Sequence, residues 1–205
     1  MKYLFFRQKM LGFVCFNTNQ IFEVFPGFNR NNLTRWIKKG LLIRLRQGLY
    51  TFSEYKVDSD YILYFANKIY SPSYIGLHTA LSFYGIIPEA VLQITSVTSL
   101  KTASFNNEFG DYIYKSVKDE LIFGYDLKIF SGERVLKIAK PEKAILDLLY
   151  LYPFYTSEKE LLELRFDEDF LHCNFDIKLF REYIDRFNSK ALEKRANKLL
   201  KAYDI

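Results

Sequence analysis

The chain has 205 residues, 49% hydrophobic and 26% charged, which is the composition of a globular protein long enough to bury a proper core in one large domain or two small ones. Its net charge of +5 is unevenly distributed: residues 1–56 hold ten Lys/Arg against Glu23 and Glu54, a net of +8, which leaves −3 on residues 57–205. No apolar run approaches the roughly 20 residues that cross a bilayer, so no membrane partner is expected.

The start, Met1–Leu11, carries Lys2, Arg7 and Lys9 inside its apolar stretch. That interleaving suits a short amphipathic helix and not a secretory signal, whose charges precede one uninterrupted apolar block. Asn17–Phe25 reads as a second short helix, opened by a cap at Asn17, Thr18 or Asn19 and ended by Pro26-Gly27. A third begins near Asn29–Asn31 and runs to Lys39, with Gly40 as its stop. On it Leu33, Trp36 and Ile37 share one apolar face, while Asn31, Thr34, Arg35 and Lys38 cluster opposite. Leu41–Leu45 and Leu49–Phe52 flank a turn at Gln47-Gly48, a hairpin with Arg44 and Arg46 pointing outward. Helix, turn, polar-faced helix and basic hairpin are the order of a winged helix-turn-helix.

The character changes across Tyr55–Asp58, the expected junction between residues 1–56 and 57–205. Asp58–Tyr70 and Leu77–Tyr84 read as helices. Val91–Val97, Tyr112–Val117, Tyr125–Phe130 and Arg134–Ile138 read as strands, the last two joined through Ser131-Gly132. Pro141 opens a helix with an apolar stripe of Ala144, Ile145, Leu148, Leu149 and Tyr152. Glu158–Phe166, Asp176–Phe187 and Lys190–Tyr203 complete a helical tail. The expected fold class is α+β, a winged helix-turn-helix followed by a mixed domain.

A polyanion fits the basic end, and the helix pattern narrows it to nucleic acid. A helix matches the major groove in width, and Asn and Arg pair with purine edges through two hydrogen bonds. The expected base contacts are Asn31, Thr34 and Arg35, with Arg30 and Lys38 at phosphates and Arg44 and Arg46 on the flanking backbone or minor groove. An ordinary solvated basic face, or a winged helix that binds only protein, accounts for the same residues. Single-stranded nucleic acid is a poorer match, because Phe22, Phe25, Trp36, Phe65, Phe83 and Phe123 sit at core-like positions.

Catalytic signals are thin. His78 and His172 are the only histidines; neither has a nucleophile motif around it, and no phosphate-binding glycine loop is present. Cys15 and Cys173 form no CxxC pair, and His172-Cys173 is poor spacing for one tetrahedral ion, so packed histidines and core cysteines in a reducing cytoplasm are expected, with no metal and no cofactor. Asp111 followed by Asp126-x-Lys128 resembles the metal-binding core of restriction-type nucleases, and a surface ion pair is the alternative. The loop Thr98–Asn107 carries Lys101, a candidate phosphate contact in what reads as a strand connection. Lys190, Lys194, Lys198 and Lys201 form a basic strip on the last helix, either a second polyanion site or a solvated face.

Residues 10–155 resemble the AbiEi-type antitoxins. The resemblance lies in Trp36-Ile37-Lys38-Lys39-Gly40-Leu41-Leu42, Arg46-Gln47-Gly48-Leu49-Tyr50, Tyr74-Ile75-Gly76-Leu77-His78-Thr79-Ala80-Leu81, Tyr84-Gly85-Ile86-Ile87-Pro88, Ile94-Thr95-Ser96-Val97-Thr98, Phe123-Gly124-Tyr125 and Ala139-Lys140-Pro141-Glu142-Lys143-Ala144-Ile145-Leu146-Asp147, in order and spacing. It implies a non-enzymatic bacterial antitoxin of abortive infection against phage. Such a protein represses its own promoter by binding double-stranded DNA repeats, and counteracts a nucleotidyltransferase toxin without a stable complex. The family's winged helix supplies repression and its C-terminal domain is linked to antitoxicity. Gly76 stands where relatives often have Ser, and Lys101 and Ala103 where they often have a denser basic cluster.

Overall fold

The structure, a computed structural model, describes residues 1–55, 58–89, 92–130 and 134–205. The expected Ser131-Gly132 turn, Lys56 and Val57 of the junction, and Val91 lie outside the described residues. The molecule is mixed α+β with two sheets.

The N-terminal part runs α1 (Tyr3–Met10), β1 (Cys15–Asn17), α2 (Thr18–Val24), α3 (Asn31–Lys38), β2 (Leu42–Arg46) and β3 (Leu49–Phe52). Asn17 opens α2 with a reciprocal box: its side chain accepts from Gln20 N at 2.9 Å and the Gln20 side chain accepts from Asn17 N at 2.8 Å. β2 and β3 form the expected hairpin, and β1, too short to show periodicity in the sequence, adds to β3 (Cys15↔Thr51, Phe16↔Tyr50) to make a three-stranded antiparallel sheet. Phe6, Phe16, Phe28, Trp36 and Phe52 build a core under it, with the Phe6 and Trp36 rings 4.7 Å apart. Each such buried ring contributes about 1.5–3 kcal/mol.

The rest comprises α4 (Ser59–Ile69), β4 (Ser73–Ile75), α5 (Leu77–Phe83), β5 (Gln93–Thr98), β6 (Ala103–Asn107), β7 (Gly110–Ser116), β8 (Tyr125–Phe130), β9 (Arg134–Ala139), α6 (Pro141–Leu151), α7 (Glu158–Leu162), α8 (Glu168–Cys173), α9 (Ile177–Phe187) and α10 (Lys190–Ala202). The strands form one mixed sheet in the order β6-β7-β5-β4-β9-β8. Several expectations are corrected here. The Thr98–Asn107 connection is in large part a strand, because residues 103–107 pair antiparallel with β7. β4, not among the expected strands, is a central strand with all three residues buried, so it shows no alternation. The helix expected over Glu158–Phe166 stops at Leu162, and Arg165 takes a left-handed φ of 52°. His172 and Cys173 end the short α8 exposed to solvent, and neither is packed in the core. Phe83, also expected inside, is exposed, and Phe22 is half-buried.

The N-terminal part does not stand clear of the large sheet. Val14, Leu45 and Leu49 are buried in the core of residues 61–205, and the Asn107 side chain of β6 donates to Leu45 O at 3.0 Å. The tip of the hairpin is also tied back to α2, whose Thr18 N donates to Gly48 O at 3.1 Å.

α6 is enclosed by α5, α9, α10 and β9, so its polar residues Glu142, Lys143 and Asp147 are buried with its apolar ones. Lys143 and Asp147, one helical turn apart and fully buried, form an ion pair. The Tyr74 hydroxyl of β4 donates to Asp147 Oδ2 at 2.7 Å and accepts from Lys143 Nζ at 2.9 Å. The ammonium also lies 4.6 Å from the Phe187 ring centre and 4.8 Å from that of Phe123. Burial pushes the Asp147 carboxyl up and the Lys143 ammonium down from their ordinary values, and the opposite charge of the partner counters each shift. Gly124, with φ +69°, lets the lysine stem pass: a Cβ there would lie 3.1 Å from Lys143 Cβ and 3.0 Å from the Tyr183 ring. Lys143→Met should cost about 3–5 kcal/mol by stranding a buried carboxylate, while the triple change Tyr74→Phe, Lys143→Met, Asp147→Leu should recover most of it. Urea-unfolding midpoints of the two variants check this.

Candidate nucleic-acid interface

α3 has two chemically distinct sides. Leu33 and Trp36 are buried against the aromatic core, whereas Asn31, Thr34, Arg35, Lys38 and Lys39 are exposed and line one shallow depression of about 430 Å³. The first turn is held by Asn29, whose Oδ1 accepts from Asn31 N at 2.9 Å. Arg35 is oriented by its neighbour one turn back: Nη2 donates to Asn32 Oδ1 at 2.7 Å, and the buried position of Asn32 anchors that contact. The remaining guanidinium donors stay on the exposed side. Arg30 precedes the helix with its guanidinium carbon 5.1 Å from the centre of the Phe22 ring on α2.

Four of the five residues expected on or beside this helix, Asn31, Thr34, Arg35 and Lys38, thus share one surface, and Lys39 joins them, while Arg30 lies over Phe22 at the start of the helix. The adjacent Lys38-Lys39 pair was the available signal for it, since both follow the last buried position of the helix. Arg44 and Arg46 are exposed on β2, where the register shifts between them: Arg44 pairs with Tyr50 and Arg46 with Leu49. Both side chains lie in solvent, with Leu45 between them buried.

The other candidates are dispersed. Lys101 is exposed on the β5–β6 connection, while Lys190, Lys194, Lys198 and Lys201 are exposed along α10, which packs on α6, α7 and α9. In that strip Lys198 Nζ donates to Thr156 O at 2.7 Å, and the neighbouring Arg195 donates to Leu149 O at 3.2 Å, so part of it fastens α10 to the chain beneath. Asp111, Asp126 and Lys128 do not converge. Asp111 is on β7 and the other two on β8, four strand spacings or about 19 Å across the sheet. Asp111 accepts from Asn106 at 2.8 Å, Asp126 lies 3.7 Å from Lys140 Nζ, and the Lys128 ammonium sits 4.8 Å from the Tyr84 ring centre. The nuclease arrangement is therefore not formed. Among the described residues no group of three or more His, Cys, Asp or Glu is placed to hold a metal ion, and no helix is long and apolar enough to cross a membrane.

A cleft of about 730 Å³ opens between β5, β7 and the α6–α7 connection, lined in part by His78, Thr95, Lys115, Tyr152, Tyr155 and Phe166. These residues come from five separate stretches and form no motif, so no sequence pattern marks the cleft. His78, expected as a packed core residue, is only partly covered and lies 6.1 Å, ring to ring, from Tyr152. Burial lowers its pKa from 6.5, with Glu89 opposing the shift. Because the folded value lies below the unfolded one, stability associated with this ring declines as pH falls from about 6.5 through the folded pKa. Its imidazole signals, followed by NMR, should titrate with a midpoint below 6.5.

Neither known protein-family models nor curated proteins show any match to the chain.

Proposed function

We propose that residues 1–56 form a winged helix-turn-helix that binds duplex DNA, and that the protein is a promoter-binding autorepressor and antitoxin of the AbiEi type. The observation that carries DNA binding is the two-sided α3: its apolar side is locked into an aromatic core, and its outer side presents Asn31, Thr34, Arg35, Lys38 and Lys39 together. That is the side-chain chemistry that reads base edges and neutralises phosphates in a major groove. Arg30 flanks the same helix, and Arg44 and Arg46 supply an exposed basic hairpin for the adjoining backbone. The net of +8 on residues 1–56 favours a polyanion there and not on the acidic remainder.

Binding to the chain's own promoter should fall steeply with salt, because each neutralised phosphate releases counterions. Arg35→Ala should cost about 1–3 kcal/mol and relax sequence preference, and Arg46→Ala should weaken all sequences alike. Fluorescence anisotropy over a salt series checks both, and unchanged binding by an Arg35→Ala/Lys38→Ala variant overturns the assignment. A winged helix dedicated to protein contacts would give that result.

The antitoxin role rests on the likeness of residues 10–155 to the AbiEi pattern. In it the chain acts without catalysis of its own, and its functional partner is a nucleotidyltransferase toxin not held in a stable complex. Repression and rescue should then separate in the full-length protein. Cells producing the cognate nucleotidyltransferase toxin should survive with the Arg35→Ala/Lys38→Ala variant, while a reporter on the chain's own promoter is derepressed. Loss of rescue together with loss of repression contradicts the division of labour.

A further inference from the structure

The two edges of the large sheet differ. β6, at one end, lies beside β2 of the N-terminal hairpin through the Asn107–Leu45 hydrogen bond. Among the described residues β8, at the other end, pairs only with β9. Its register runs unbroken from Tyr125↔Ala139 to Phe130↔Arg134, with no bulge, and Tyr125-Asp126-Leu127-Lys128-Ile129-Phe130 contains no proline. It therefore lacks two of the devices by which edge strands avoid pairing. Leu127 is 62% exposed and Ile129 74%, on one face with Val135 at 39%.

The backbone of β8 is directed outward at these same residues. Asn67 of α4 holds both backbone groups of Lys137 on the side of β9 away from β8: Lys137 N donates to Asn67 Oδ1 at 2.7 Å and Asn67 Nδ2 donates to Lys137 O at 3.3 Å. Lys137 faces Leu127 in the ladder, so theirs is the pair that exchanges no bonds, and the N–H and C=O of Leu127 point to the open edge. By alternation those of Tyr125 and Ile129 do too. Among the described residues nothing pairs with them.

We propose that β8 pairs antiparallel with β8 of a second copy of this chain about a two-fold axis at Leu127. The charge pattern selects this partner. With Leu127 opposite Leu127 of the second copy, Asp126 falls opposite Lys128 and Lys128 opposite Asp126, two ion pairs on one face. On the other face Tyr125 meets Ile129 on both sides of the central leucines. The strand is self-complementary in backbone, charge and apolar surface, which is what an isologous two-fold contact requires. The two sheets become continuous, with the N-terminal parts at its far ends, and the pairing is independent of the DNA-binding reading.

The test uses the full-length chain. Sedimentation equilibrium should show a reversible dimer of the unaltered protein. Asp126→Lys, which sets Lys opposite Lys twice, should raise its dissociation constant roughly tenfold or more, and the swap Asp126→Lys/Lys128→Asp should restore most of the affinity. In a Cys173→Ser background, which removes the exposed thiol, Leu127→Cys should oxidise to a disulfide dimer across the axis and Ile129→Cys should not. Urea midpoints for each variant establish that the chain is folded. A folded wild-type chain that remains monomeric overturns the proposal, as does a dimer that tolerates Asp126→Lys, or equal cross-linking of Leu127→Cys and Ile129→Cys.

Discussion

An ammonium and a carboxylate with no access to water hold the centre of this molecule. Removing two charges from solvent is unfavourable by several kcal/mol each, and the loss is recovered only where geometry supplies every partner. Here the partners come from three directions. Asp147 and Lys143 are one turn apart on α6, the Tyr74 hydroxyl reaches them from β4, and the rings of Phe123 and Phe187 flank the ammonium. Sliding α6 by one residue along the sheet would carry the Lys143–Asp147 pair away from the Tyr74 hydroxyl and the two rings, so the network fixes the helix axially and angularly, which apolar contacts alone do only loosely. Glu142 extends the same logic to α9, since its Oε1 accepts from Asp176 N at 2.9 Å at the start of that helix.

The N-terminal part solves a different problem. It is small, and aromatic rings supply the buried area that a few strands and short helices cannot. Seating Trp36 and Leu33 in that cluster turns the opposite side of α3 outward as a rigid surface. A rigid surface lowers the ordering cost that each mobile side chain adds on binding any partner. The contact between Asn32 and Arg35 restrains the arginine before any partner arrives.

The parts of this fold legible in the sequence are those whose neighbours differ on two sides. α3 and α10 each have one buried and one solvated side, and the spacing of Leu33 and Trp36, or of Leu192, Ala196, Leu199 and Tyr203, shows it. α6 was legible only in its apolar half. Lys143 and Asp147 stand at i and i+4 like any surface ion pair, and nothing in a single sequence tells that packing surrounds the helix. β1 and β4, three residues each, are shorter than the window in which alternation can be counted. β6 is polar, Ala-Ser-Phe-Asn-Asn, and is a strand through its ladder with β7 rather than its propensity. The cleft beside His78 was invisible for a topological reason: its walls are assembled from residues distant in the chain.

The burial of Leu45 and Leu49 in the larger core, and the grip of Asn107 on the Leu45 carbonyl, give the hairpin a second office. One side of β2 presents arginines and the other is a strut against the edge of the sheet. A load applied to the arginines is therefore carried straight into β6 and β7, not absorbed by a swivelling tether. The orientation of the basic surface becomes a property of the whole molecule, and its aim can be altered by a change in a sheet residue that never comes near it.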